Sequence, residues 1–521
     1  MTNSLAHRPS GCPGSHRRLR PPDFQDLRCA FVLAAAIAAV SACGSTTPLA
    51  PPAHVAVPAF AAARWVPANP TYLVTTRTVA DAQHGLRDIV DALGMMLGVS
   101  ASELSAELRH ELGIDPMSTE GLTALGIDVT GGFAMFSEQV SPTFVVRLAA
   151  PDQMRGFFEQ RRSDGMVTQS VIVDGVEIFT VPLSRHVQVS WAIADSWLWL
   201  HFSSELDHED GPTWFTRSYR PGAPAWTASW EWAQRSAGDG DAQLVGVGDL
   251  RRVVGALLAA ERGGPQCARV LESVNRVAIA LGGGDNQLAA RVTLDLGAAA
   301  PRLAATALSA PEGWNTVTSN APLAGEWNID LERVVGWLGQ CAELDDDLGE
   351  DPAEWYRESG VRSARAVIKS FDPDGKSGSG AVALDLAHSR AFAGMLDEIP
   401  LRSTLERKAT FGPHAGKSLS IPFSGLPTIE YVLTDKLALA GAGDGVLASL
   451  VGKGGTTPGP LAAISIVPSR MSVESWTALF ELADLPRARR AAELIQGWRE
   501  AKLALTIEGT SLVVSASGTR R

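Results

Sequence analysis

Several things are scarce in this chain of 521 residues, and each scarcity narrows what it can be. After residue 42 no apolar run approaches the roughly 20 residues that a membrane-spanning helix needs. Positive charge is in deficit, with 45 Lys and Arg against 57 Asp and Glu and a net charge of −12. Residues 1–42 hold five of the Arg and two of the Asp, so the remainder stands at −15. A nucleic-acid partner calls for clustered cations, and so does electrostatic adhesion to anionic lipid; the balance argues against both. No G-x-S-x-G elbow occurs. His110-Glu111 could open a zincin motif, but Ile114 stands where the second His belongs. Gly412-Pro413-His414-Ala415-Gly416-Lys417-Ser418 has three residues between its glycines, where a phosphate loop has four, and alternation rather than a helix follows. It reads as a β-turn.

Cysteine is scarce too, with five in all. Cys12 and Cys29 precede residue 42. Cys267 and Cys341 are far apart, which does not make a zinc site. In an exported chain they are most simply a disulfide, with two buried thiols as the competing reading.

Cys43 has the most informative setting. Arg17, Arg18, Arg20 and Arg28 come first, then the apolar run Cys29 to Val40, then small residues. That is the layout of an export signal. Val40-Ser41-Ala42-Cys43 resembles the lipobox of bacterial lipoproteins. The resemblance implies a diacylglycerol on the Cys43 thiol, cleavage before it and acylation of the new amino terminus. An ordinary cleaved signal is the competing reading. Gly44, where such lipoproteins carry Asp for inner-membrane retention, implies the outer membrane. Several acyl chains make a stable anchor, each buried methylene contributing about 0.8 kcal/mol.

Residues 43–64 are rich in Pro and Ala and read as a tether after the signal peptide, 1–42. The rest reads as an α+β fold made of antiparallel β-hairpins with helices packed on the sheets. Strands are expected at Thr71–Arg77, at Val171–Pro182 as one run, and at Gly325–Asp330. Hairpins are expected at 129–149, 186–202, 276–296, 364–386 and 503–515. Helices are expected over 80–97, 102–112, 249–260, 331–339, 388–399 and 473–482, and one from Asp152 carrying Met154, Phe157 and Phe158. The chain between 203 and 244 gives no clear pattern.

The second half echoes the first. Pro182 aligns with Pro422 and Asp195 with Asp435 at one constant offset, which predicts a tandem duplication, 65–305 and 306–521. The pattern resembles bacterial envelope proteins with domains of unknown function, a likeness that implies no chemistry.

Candidate ligand contacts are few. Trp226, Trp230 and Trp232 suit sugar stacking or a protein partner, although burial is the default for tryptophan. His201 with Glu205, Asp207, His208, Glu209 and Asp210 has metal-ligand residue types, but reads as a solvated acidic loop. The run Asp345–Asp351 and the Asp372-Pro373-Asp374-Gly375 turn read likewise as exposed charge and a hairpin turn. No metal and no cofactor are expected. These readings predict a lipid-anchored protein of the bacterial envelope, a non-catalytic module binding another envelope protein or a surface ligand. The alternative is a periplasmic hydrolase acting on an envelope polymer.

Overall fold

The structure, a computed structural model, describes residues 60–67, 70–83, 106, 115, 118–138, 141–163, 168–182, 187–204, 209–218, 242–252, 274–282, 286–311, 313–333, 359–373, 377–397, 405–420, 427–451, 456–457, 459–483, 485 and 487–521. In the first half the strands are β1 (Tyr72–Thr76), β2 (Phe133–Ser137), β3 (Thr143–Arg147), β4 (Gln169–Val173), β5 (Val176–Pro182), β6 (Val187–Ala194), β7 (Trp197–Ser204), β8 (Leu244–Asp249), β9 (Arg276–Gly282) and β10 (Gln287–Asp295). Helices α1 (Thr119–Ala124), α2 (Pro151–Ser163) and α3 (Gly211–Ser218) lie among them, and α4 (Ala300–Ala304) follows.

The second half has β11 (Ala310–Pro311), β12 (Leu323–Trp327), β13 (Val361–Asp372), β14 (Ser377–Leu386), β15 (Glu406–Phe411), β16 (His414–Leu419), β17 (Ile429–Leu433), β18 (Leu437–Ala442), β19 (Thr456–Thr457), β20 (Ala462–Ile466), β21 (Trp498–Glu508) and β22 (Ser511–Arg520). Its helices are α5 (Trp314–Thr318), α6 (Ser389–Asp397), α7 (Val446–Val451), α8 (Val473–Leu482) and α9 (Ala488–Ile495).

All but β11 and β19 join one antiparallel sheet. Its neighbours run β4-β5-β6-β7-β3-β2-β1-β8-β9-β10 and continue β22-β21-β20-β12-β13-β14-β18-β17-β16-β15. Read inward from each outer edge, the two halves place their strands in the same order. They meet at β10 and β22, which are in register from Gln287↔Thr519 to Asp295↔Ser511.

The helices pack on both faces, because strand positions alternate between faces and both sets are largely apolar. One face, called face one, carries α1 and α2 over Val146, Leu198 and Trp191. Further along it carries α6 over Leu384, Ala364 and Ala438, and α8 and α9 over Leu323, Ile368 and Ile466. Face two carries the 3-10 turn Ala61–Trp65 and α3 over Phe136, Val145 and Trp199. In the second half it carries α5 and α7 over Ala324, Val367 and Leu439. Helix starts are capped where the sequence supplies an acceptor: Ser472 Oγ accepts from Ser475 N–H at 3.1 Å at the start of α8.

Most expected hairpins are present; several details differ. Val171–Pro182 is two strands, because Asp174 and Gly175 both take positive φ (49° and 80°) and turn the chain. The strand expected at Gly325–Asp330 begins at Leu323 and ends at Trp327. The last hairpin is longer than 503–515, spanning Trp498 to Arg520. The folded part reaches into the expected tether, since Phe60, Ala62 and Ala63 are buried. Gly412-Pro413 is indeed a turn, joining β15 to β16. The helices expected at 80–97, 102–112, 249–260 and 331–339 fall mainly outside the described residues.

Candidate functional site

The residues singled out by sequence lie outside the described part: Cys43, Cys267, Cys341, Trp226, Trp230 and Trp232. Trp191, Trp197 and Trp199 on β6 and β7 are buried. The His201 cluster is corrected. His201 is not in a loop but on β7, buried on face two; its Nδ1 lies 2.8 Å from Thr143 Oγ1 and its ring stacks on Trp214 at 4.2 Å. Glu209 pairs with Arg217 at 2.8 Å. That bond, with Glu138 on the other side, holds the Arg217 guanidinium charged well above its ordinary value. Asp210 begins α3, accepting from Thr213 N–H at 2.8 Å. Hydrogen bonds from Thr213 lower its pKa below the usual 3.8. Among the described residues no three His, Cys, Asp or Glu side chains are grouped to hold a metal.

Two surfaces stand out instead. The first is a polar groove of about 620 Å³ on face two, over β12, β20 and β21 beside α5. Asn315, Asn320, Ser465, Arg470, Arg499 and Lys502 line it, together with Glu326 and Glu500. Much of that charge is already engaged. Arg470 Nη2 donates to Asn320 Oδ1 at 3.1 Å, and Lys502 Nζ lies 2.5 Å from Glu500 Oε1. Glu326 accepts from Asn328 Nδ2 at 2.9 Å.

Beside the groove, on the same face, lies a buried ionic network that sequence reasoning missed. The Arg365 side chain is wholly enclosed on β13. It donates to Asn328 Oδ1 at 2.5 Å, Asp385 Oδ2 at 2.8 Å and the Ser309 carbonyl at 3.2 Å. Ser363 also donates to Asp385, and Arg362 pairs with buried Asp330. The one available signal was an arginine at a face-two position, between Ser363 and Val367 on an alternating strand.

The second surface is on face one and is apolar. Trp327, Val382, Ile429, Ile464 and Leu503 are each 38–44% exposed. Strand register puts all five on this face. They are five of the eight large hydrophobic side chains exposed among the described residues, so the exposure is concentrated rather than scattered.

No family model matches this chain, and no curated protein does. Crystal forms of TP0453 are similar to part of it. Form III is 14% identical with a TM-score of 0.27, covering 45% of this chain and 79% of that one. Form IV, also 14% identical, has a TM-score of 0.28 over 47% and 84% of the two chains. Form I, at the same identity, has 0.25 over 45% and 78%. Likeness at this level carries no inference about function.

Proposed function

We propose that this chain is a lipid-anchored protein of the bacterial cell envelope, held by acylated Cys43, whose folded part is a non-catalytic binding module. The observation that supports binding is the concentration of exposed apolar side chains on face one, since patches of that kind mark interaction surfaces. The Val40-Ser41-Ala42-Cys43 sequence supports the anchor, and Gly44 favours the outer membrane. Labelling cells with palmitate and fractionating the envelope tests the anchor. Wild type is expected to carry label and sediment with membranes, while Cys43→Ala does neither; equal labelling of both would overturn the anchor.

A periplasmic hydrolase remains the second reading, favoured by Glu326 and Glu500 lining one polar groove. Glycosidases use a carboxylate pair. Release of sugar from envelope polymer by wild type, lost in Glu326→Gln, would establish it over the binding module.

We also read the two ten-strand series as copies of a duplicated unit. Their common strand order supports this. So do the helices that follow corresponding strands, α2 and α6 after β3 and β14, α3 and α7 after β7 and β18. Two-residue turns at Asp195-Ser196 and Asp435-Lys436 join matching strands. Pro422, the expected counterpart of Pro182, lies outside the described residues. A crystal structure with Asp195 and Asp435 in unrelated positions would refute the duplication.

A further inference from the structure

Across the second half, one row of paired residues on face one is apolar from Ala440 on β18 to Leu503 on β21. It runs Ala440, Val382, Ala366, Gly325, Ile464, Leu503, each directly opposite the next. Helices of the same chain flank it. To one side α6 packs over Leu384 and Ala364; to the other α8 and α9 pack over Leu323, Ile368 and Ile466. The middle of the row is low, because Ala366 and Gly325 present almost no side chain. A Cβ added to Gly325 would meet nothing within 4 Å. Five strand spacings of about 4.8 Å make the row about 24 Å long. One acyl chain in a leaflet spans about 15 Å, half the hydrocarbon thickness.

The row has a polar end. Past Ala440 it continues through Tyr431 to Lys417, with Lys408 opposite Lys417 on β15. Glu406 holds Lys417 at 2.7 Å and accepts from the Tyr431 hydroxyl. Among the described residues, strand register thus brings two lysines and one glutamate together at this end. The surface therefore has the polarity of an anionic amphiphile laid lengthwise.

We propose that this row binds a long-chain fatty acid, with the alkyl chain over Val382–Leu503 and the carboxylate toward Lys417 and Lys408. This rests on reading the folded part as a binding module and names its ligand class. A peptide fits less well. The strands flooring the row are paired on both sides, so a peptide laid there would leave its own backbone groups unsatisfied. An alkyl chain has none to satisfy. A second copy of this chain would have to seat a flat surface between α6 and α8.

The full-length chain carrying Cys43→Ser, purified without detergent, is titrated with a dansyl-labelled undecanoate and then with unlabelled palmitate. Saturable binding displaced by palmitate is expected. Ile464→Glu should weaken it about tenfold or more. Lys408→Glu should weaken competition by palmitate and leave competition by uncharged dodecyl maltoside unchanged. Ile464 is on the surface, so its replacement should leave the circular dichroism intact; Leu503→Lys serves the same purpose if it does not. No saturable binding, or binding indifferent to both strip variants, overturns the proposal. A wild-type dimer that becomes monomeric on Ile464→Glu also overturns it, assigning the row to a second copy. The Cys43→Ser variant has no thiol to acylate at that position, so none of these outcomes bears on the labelling of Cys43 in cells.

Discussion

Arg365 touches Asn328, Asp385 and a backbone carbonyl, and no water reaches it. Replacing it with Met would leave the Asp385 carboxylate and the Asn328 amide oxygen without their main donor. Asp385 is a quarter exposed and keeps its bond from Ser363, so the loss should be about 1–3 kcal/mol, that of a buried group left short of a partner, and the urea midpoint of Arg365→Met should fall accordingly. An unchanged midpoint would mean that the network adds nothing. Asp210 is the opposite case, an exposed residue acting on a helix start. Its removal in Asp210→Ala should cost about 0.5–1 kcal/mol, the low part of the range for an N-cap because water competes for the carboxylate. The sign with pH follows from its lowered pKa. The charged form is favoured in the fold, so the contribution is full well above the ordinary 3.8 and fades as pH falls through the lower folded value. Unfolding curves of wild type and variant should therefore converge in acid; a constant gap would refute the assignment. Neither site was legible in the sequence. A single Arg in a strand looks like a surface residue. His201 was read into an acidic loop because its neighbours from Glu205 on are polar, whereas Thr143 and Trp214, which enclose it, are distant in the chain.

The hairpins were the most legible elements, since alternation with a period of two survives any amount of tertiary detail. β9–β10 and β13–β14 stand close to where alternation put them. The same signal misled at β4–β5. Alternation runs through Asp174-Gly175 without a break in hydrophobicity, and only the turn chemistry of Asp-Gly marks the reversal. Helices α3 and α9 were missed because each has only 8 residues, about two turns, too few for a helical period to emerge. Splitting that run has a physical consequence, because β4 becomes one outer strand of the sheet. It exposes Val171 and, at 71%, Ile172. The other outer strand, β15, carries Arg407 and Lys408, the kind of charge that blunts edge pairing. Ile172→Lys should thus reduce light scattering by concentrated protein while leaving the unfolding midpoint within about 0.5 kcal/mol. Unchanged scattering would show that β4 takes no part in association.

At the scale of the whole molecule, the pairing of β10 with β22 closes one sheet out of two series. The order of strands within each half was not legible, because pairing depends on register between segments that sequence does not juxtapose. Ending the chain after Gly509 would remove β22 and bare both β10 and β21 in the middle of the sheet. The truncated protein should aggregate at concentrations where the full chain is clear in sedimentation. A soluble truncated monomer would show that the seam is dispensable.

That seam also sets a timetable. β22 is synthesised after every other strand of the sheet, yet it belongs at the centre. Arg291 and Glu508, which pair across this region, are 217 positions apart. At about 5–20 residues per second, β10 is made about 10–40 s before its neighbour exists. The first ten strands therefore need something to occupy that edge in the interval, or the chain must be kept from folding until its last segment has been delivered.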